Sequence, residues 1–216
     1  MARDYAYAPL VRAAGPPAAP PLVFRQDFED VPVGAACPDA QTNGESGGAS
    51  IRVTDETAAS GVHSLKFTDA PNLSASYDPH LVFNVNHTAG VSTLDFALRV
   101  GPGAEITHEW RDWASGPYKT GPRFEVKGGQ LLIGDQPMMP IPNGVWVRYR
   151  VRAAIGKAAG KWDLTVSLPG QPPRRFDGLL NGSPDFAALT WIGFVSNATE
   201  KTVFYLDDVD LSNKAL

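Results

Sequence analysis

Val145–Ala153 reads VWVRYRVRA. Val145, Val147, Tyr149 and Val151 alternate with Trp146, Arg148, Arg150 and Arg152, so a two-residue period separates an apolar face from a cationic one. A helix would scatter both sets around its circumference; this segment is a β-strand with one face in a core and the other in water. The same period recurs on both sides of it. In Ser92–Val100 the residues Leu94, Phe96, Leu98 and Val100 share a face. Leu22–Glu29, Ser50–Thr54, His63–Thr68, Leu81–Asn86, Ala104–Trp113, Arg123–Lys127, Gln130–Ile133, Lys161–Leu168, Trp191–Ser196 and Thr202–Leu211 are further candidates, separated by Gly, Pro, Asn and Asp clusters. Only Ser183–Leu189 (SPDFAAL) suggests a helical turn. About a dozen strands exceed what one flat sheet readily holds. The expected fold is therefore all-β: two packed antiparallel sheets in a jelly-roll β-sandwich over 22–212, with a linker or extended arm at 1–21 and a tail at 213–216. No 20–50-residue repeat points to a propeller or solenoid.

Composition narrows the function classes. The 216 residues are 43% hydrophobic, enough for one sizeable core. Nineteen Lys and Arg against 23 Asp and Glu leave a net charge of −4, without the basic footprint of a nucleic-acid or anionic-membrane binder. Cys37 is the only cysteine, which excludes an internal disulfide and gives no zinc-ligand spacing. No apolar run is long enough to span a membrane, and the N-terminus lacks the apolar region of a signal peptide. The Pro- and Ala-punctuated start suits a module of a longer extracytoplasmic or secreted protein. Asn72, Asn86, Asn181 and Asn197 begin Asn-X-Ser/Thr triplets, which matter only in a eukaryotic secretory pathway. HEWRD lacks the second histidine of a zincin, GPGAEI lacks a dinucleotide loop's glycines, and neither GxSxG nor a Walker sequence occurs.

The ends of the chain carry a family resemblance. VFRQDFEDVPVG (Val23–Gly34), GVHSLKF (Gly61–Phe67) and VFYLDDVDLS (Val203–Ser212) resemble the first, early and last strands of concanavalin A-like jelly rolls, in order and spacing across nearly all of 22–212. Such domains serve as lectins, laminin-G-like modules, carbohydrate-binding modules, or catalytic domains of glucanases and polysaccharide lyases. The resemblance implies a structural calcium where the first and last strands meet, with Glu29 and Asp207 as leading ligands and Asp27 and Asp208 as possible replacements. The alternative is that these acids are solvated strand ends or turn caps.

THEWRDW (Thr107–Trp113) is the most functional-looking stretch. With Ile106 inward, Thr107, Glu109, Arg111 and Trp113 face out and His108, Trp110 and Asp112 face in. On the fold that the resemblance implies, Glu109, Arg111, Arg123, Arg148 and Arg150 would line a glycan groove, with Trp113 and Trp146 as stacking faces. The competing reading makes the acid and arginines cross-strand salt bridges on an ordinary polar surface. Glucanase strands would carry Glu-x-Asp-x-Glu or Glu-x-Asp-x-x-Glu, and neither occurs; Glu109 and Asp112 fall on opposite faces. His80, His87, Tyr77, Tyr118 and the arginines are the parts available to a lyase, at spacings that match no lyase signature, and both histidines read as surface residues. Trp162, Trp191, Phe96, Phe194 and Phe204 read as core, and Met138–Met139 as a loop against an edge. The leading expectation is a non-catalytic carbohydrate-binding or lectin-like module of a bacterial polysaccharide-degrading protein, taking a neutral or acidic poly- or oligosaccharide. A glycan-active enzyme, lyase before hydrolase, comes second, and a structural or protein-interaction sandwich without a glycan site third.

Overall fold

A computed structural model describes residues 19–114 and 116–215. The expected arm at 1–21 lies outside the described residues except for its last three. In chain order the strands are β1 (Phe24–Gln26), β2 (Gln41–Asn43), β3 (Ser50–Thr54), β4 (Ser64–Thr68), β5 (His80–His87), β6 (Gly90–Val100), β7 (Ile106–Asp112) and β8 (Lys119–Lys127). There follow β9 (Gln130–Ile133), β10 (Gln136–Pro140), β11 (Trp146–Ile155), β12 (Lys161–Ser167), β13 (Arg174–Leu180), β14 (Leu189–Ser196) and β15 (Val203–Lys214). One sheet runs β13-β12-β11-β6-β15-β4-β3, with β1 also on β15; the other runs β10-β9-β8-β7-β14-β5-β2. Every pairing is antiparallel, so the molecule is a two-sheet jelly-roll β-sandwich.

Alternation predicts the inner faces. Val147, Tyr149 and Val151 of β11 and Leu94, Phe96 and Leu98 of β6 point inward, and from the facing sheet come Ile106, Trp110, Phe124, Ile192 and Phe194. Phe96 sits at the centre: its ring centroid lies 5.4 Å from Tyr149 in a stacked arrangement and 5.0 Å from Phe194 edge-on. Interdigitation of this kind makes a single Phe-to-Ala change in such a core cost about 3–5 kcal/mol. His108 is the one histidine among these inward side chains. It packs against Phe96, Phe124 and Phe194, and burial drives its pKa down to about 3, so it stays neutral.

β15 organises one sheet. Val203–Leu206 pairs with β4, and Phe24–Gln26 of β1 pairs with Leu211–Val209 further along the same edge. Between those stretches the register against β6 shifts at Asp207–Asp210, and Asp208 takes a φ of 51°.

Three strands escape the sequence reading: β2, β10 and β13. All lie at sheet edges, where one flank is unpaired and alternation need not be apolar. Met138 and Met139, expected in a loop, belong to edge strand β10. Ser183–Leu189 closes one hydrogen-bonded turn, Phe186 N–H to the Ser183 carbonyl, without becoming a helix before Leu189 opens β14, and the 3-10 helix lies at Gly156–Ala158. Within the irregular segment, Phe186 packs flat on Gly121, where a Cβ would sit 2.6 Å from its ring. The last strand runs on to Lys214, through much of the expected tail. His87, expected at the surface, is buried: its Nε2 donates to the Leu22 carbonyl and its Nδ1 pairs with the Ser92 hydroxyl.

Candidate functional site

The outer face of the second sheet holds a groove over β5, β14, β7 and β8. Ile106, His108 and Trp110 are turned into the core, which puts Thr107, Glu109 and Arg111 outside, as the alternation requires. Across the strands Glu109 lies beside Gly193 of β14 and Arg123 of β8, and Arg111 lies beside Trp191 and Thr120.

Gly193 determines how this floor is built. A Cβ at that position would lie 1.9 Å from the Trp191 ring, so the indole lies flat across the glycine. Trp191 was expected in the core. It is buried instead on the outer face, grouped with Val82 and Val195, because β14 is covered on both sides. The Arg111 guanidinium carbon sits 4.1 Å from the Trp191 ring centroid and 4.3 Å from that of Tyr118, so both its faces are held by aromatic rings. One edge is held too: Arg111 Nε donates to Glu109 Oε1 at 2.6 Å and Nη2 donates to the same oxygen. Arg123 Nε lies 3.7 Å from the other Glu109 oxygen, while its Nη2 donates to Glu125.

Two adjoining hollows open over this floor. One, of about 440 Å³, is lined by polar groups including Glu109, Arg123, Thr107 and Asn197. The other, of about 310 Å³, is lined by Tyr77, His80, Arg111, Tyr118, Trp191 and Val195. Tyr77 walls one side from a loop pinned by Asn197, whose Nδ2 donates to the Ser76 carbonyl at 3.0 Å and whose Oδ1 accepts from the Thr107 hydroxyl at 2.8 Å. Gly44 (φ 73°) lets the same loop close, since a Cβ there would fall 2.2 Å from the Asp78 carboxyl carbon. His80 Nδ1 faces two acceptors, the Tyr77 carbonyl at 3.0 Å and Asp78 Oδ1 at 3.3 Å. Nδ1 therefore carries a proton, and Nε2 makes no hydrogen bond among the described residues. Trp113 extends the rim, its ring 4.9 Å from Tyr118.

The sequence-derived site residues divide between two surfaces. Glu109, Arg111, Arg123 and Trp113 gather at this groove. Trp146, Arg148 and Arg150 lie on β11, in the opposite sheet, and cannot share it. There Trp146 Nε1 donates to the Thr57 hydroxyl, Arg148 reaches Asp208 at 2.7 Å, and Arg150 reaches Asp95 at 2.7 Å. Arg148 spans β6 to do so, because Ala97 is the residue beside it. Alternation orients each strand correctly and is silent on which sheet a strand joins. Tyr77, His80 and Tyr118, separated in sequence and matching no motif, are joined only by the fold. The Trp191-x-Gly193 spacing is the one sequence signal for the floor, an aromatic two residues from a glycine on one strand face.

Asp27, Glu29, Asp207 and Asp208 gather where β1, β4 and β15 converge, each accepting from nearby donors. Glu29 accepts from the backbone N–H of Val62 and His63 at 3.0 and 2.8 Å, which holds its carboxyl below the usual range. Asp207 accepts from Ala59, Ser60 and Asp208 N–H, yet burial outweighs these bonds and pushes its pKa up to about 6. Asp208 receives the Ser60 hydroxyl and Arg148, and Asp27 Oδ1 lies 3.3 Å from the Glu29 N–H. As arranged, the four acids accept N–H, hydroxyl and guanidinium donors and form a hydrogen-bonded clasp between the first and last strands. Among the described residues no three His, Cys, Asp or Glu side chains are grouped to hold a metal.

No family profile and no curated protein matches this sequence. Solved structures do match its fold. An endo-β-1,4-glucuronan lyase from the fungus Trichoderma reesei superposes with a TM-score of 0.60 at 11% identity, over 88% of this chain and 95% of that one. The cellulose-induced protein Cip1 gives 0.58 at 16% identity, over 89% and 98%. The alginate lyase Aly36B gives 0.55 at 11%, over 91% and 98%. At such identities the likeness speaks for architecture alone: the chain shares with these proteins a two-sheet antiparallel jelly-roll β-sandwich.

Proposed function

We propose that this chain is a glycan-binding β-sandwich whose site is the groove over Glu109, Arg111 and Trp191. One observation carries the reading: Tyr77, Trp113 and Tyr118, the three exposed aromatic side chains among the described residues, all stand around that groove. Aromatic faces cover the apolar CH faces of pyranose rings, and a fixed guanidinium and carboxylate serve their hydroxyls. Arg111 and Glu109 are already locked in place, so little ordering cost remains on binding. The two hollows together suit a short stretch of chain. The role is non-catalytic recognition in an extracytoplasmic polysaccharide-degrading protein. The test is retention on a panel of neutral and uronate polysaccharides, with new reducing and unsaturated ends assayed in parallel. Tyr77→Ala and Tyr118→Ala should each weaken retention about tenfold or more with folding intact; no retention on any glycan would overturn the proposal.

The orientation of His80 favours a second reading, polysaccharide lyase. Its Nδ1 is anchored by Asp78 and the Tyr77 carbonyl, leaving Nε2 to accept a proton beside two tyrosines and an arginine. In β-elimination Nε2 would take the proton α to a uronate carboxylate, the C4–O bond would break as the C4=C5 bond forms, and a tyrosine would protonate the leaving oxygen. Unsaturated products that vanish in His80→Ala would establish this reading. A hydrolase is disfavoured: its chemistry needs a pair of carboxylates, and Glu109 is the only carboxylate among the described residues lining either hollow.

A further inference from the structure

We infer that the groove selects anionic glycans, gripping a sugar carboxylate on the free edge of Arg111; this rests on the glycan-binding reading and specifies its ligand. The argument begins with what Arg111 has left to offer. Its two π faces are covered by Trp191 and Tyr118, and its Nε–Nη2 edge is spent on a single oxygen, Glu109 Oε1. Nη1 makes no hydrogen bond among the described residues, and 22% of the side chain remains exposed. A guanidinium presents its N–H groups as a planar fork, so the unused Nη1–Nη2 edge is a ready bidentate donor, and two oxygens in one plane are what it fits. Sugar hydroxyls can use one arm of that fork; a carboxylate uses both.

Local charge points the same way. The side chains lining the two hollows include two guanidinium groups, Arg111 and Arg123, and one carboxylate, Glu109. The lining thus carries one more guanidinium than carboxylate, with Asp78 behind His80 as a further acid nearby. Glu125, which also engages Arg123, opens into a neighbouring cleft with Glu105 and Lys127 and does not line this one. The aromatic clamp excludes water from both faces of Arg111, which strengthens any anion contact made at its edge.

Affinity for oligouronides of glucuronate, galacturonate and mannuronate/guluronate, each paired with its carboxyl-reduced neutral counterpart, tests the inference on the whole chain by calorimetry. At least one oligouronide should bind about tenfold or more tightly than its reduced twin, with affinity falling as salt rises. Arg111→Lys keeps the charge but loses the fork and should erase that preference, its fold checked by thermal unfolding. Equal affinity for both members of every pair would overturn the acid selectivity and leave glycan binding standing. Failure of both members, together with the neutral panel, would overturn glycan binding itself. If Arg111→Lys does not fold, the paired ligands on the unaltered chain decide alone.

Discussion

Replacing Gly193 by Ala tests the construction of the groove floor in one atom. The added methyl would lie 1.9, 2.2 and 2.8 Å from three carbons of the Trp191 ring. The backbone has little room to yield, because β14 is paired on both sides, with β5 and β7. The indole must therefore tip out. A Trp side chain buries roughly 200 Å². Re-exposing about half of that, ~100 Å², costs about 2.5 kcal/mol at ~25 cal/mol/Å². Losing the Arg111 stack adds about 1 kcal/mol, so Gly193→Ala should destabilise the fold by roughly 3–4 kcal/mol in urea unfolding. Arg111, no longer clamped, should lose about tenfold or more in glycan affinity. A double-mutant cycle isolates the cause: in a Trp191→Ala background there is no ring to displace, and Gly193→Ala should cost less than about 1 kcal/mol. An equal cost in both backgrounds would refute the proposed origin of the floor.

Three further outcomes follow from the geometry. Asn197→Ala removes the tie from β7 (Thr107) to the Ser76 carbonyl of the Tyr77 loop and should weaken glycan retention several-fold with a stability loss of about 1 kcal/mol, read by affinity electrophoresis and thermal unfolding. Arg148→Ala and Arg150→Ala break exposed pairs on the opposite sheet; each should cost at most about 1 kcal/mol and leave glycan retention unchanged, and a retention loss would show that this face also binds. Burial raises the pKa of Asp207 to about 6, so the folded state binds that proton more tightly than the unfolded chain does. Its stabilisation is complete below about pH 4 and lost as pH rises through about 6; Asp207→Asn should reduce the pH 4-to-7 fall in unfolding free energy by about 2–3 kcal/mol, measured by urea titration.

How far the sequence could be read depended on what surrounds each strand. β6 and β11 have one face in the core and one in water, so their alternation is clean, and both appear in the sequence to within two residues of their ends. β14 is covered on both faces, by Phe96 beneath and by the groove residues above, and a buried Trp191 there is indistinguishable from core by pattern. β13, with its Arg174–Leu180 side chains half-exposed or exposed throughout, carries no period to find. The site was half legible for a different reason. Glu109, Arg111 and Trp113 share one strand region and one face, a local fact; their separation from Arg148 and Arg150 follows from strand order, which depends on tertiary packing rather than local period.

The placement of β1 and β15 side by side also has a mechanical consequence. Phe24 pairs with Leu211 and Gln26 with Val209, so chain enters and leaves the sandwich at neighbouring points of one sheet. A load drawn through flanking chain at both ends would peel this antiparallel pair one rung at a time instead of shearing all its rungs together. The first rungs to part belong to the sheet that does not carry the groove. Under such a load the ends would thus fray as a yielding element while the groove, on the far sheet, keeps its strand pairings.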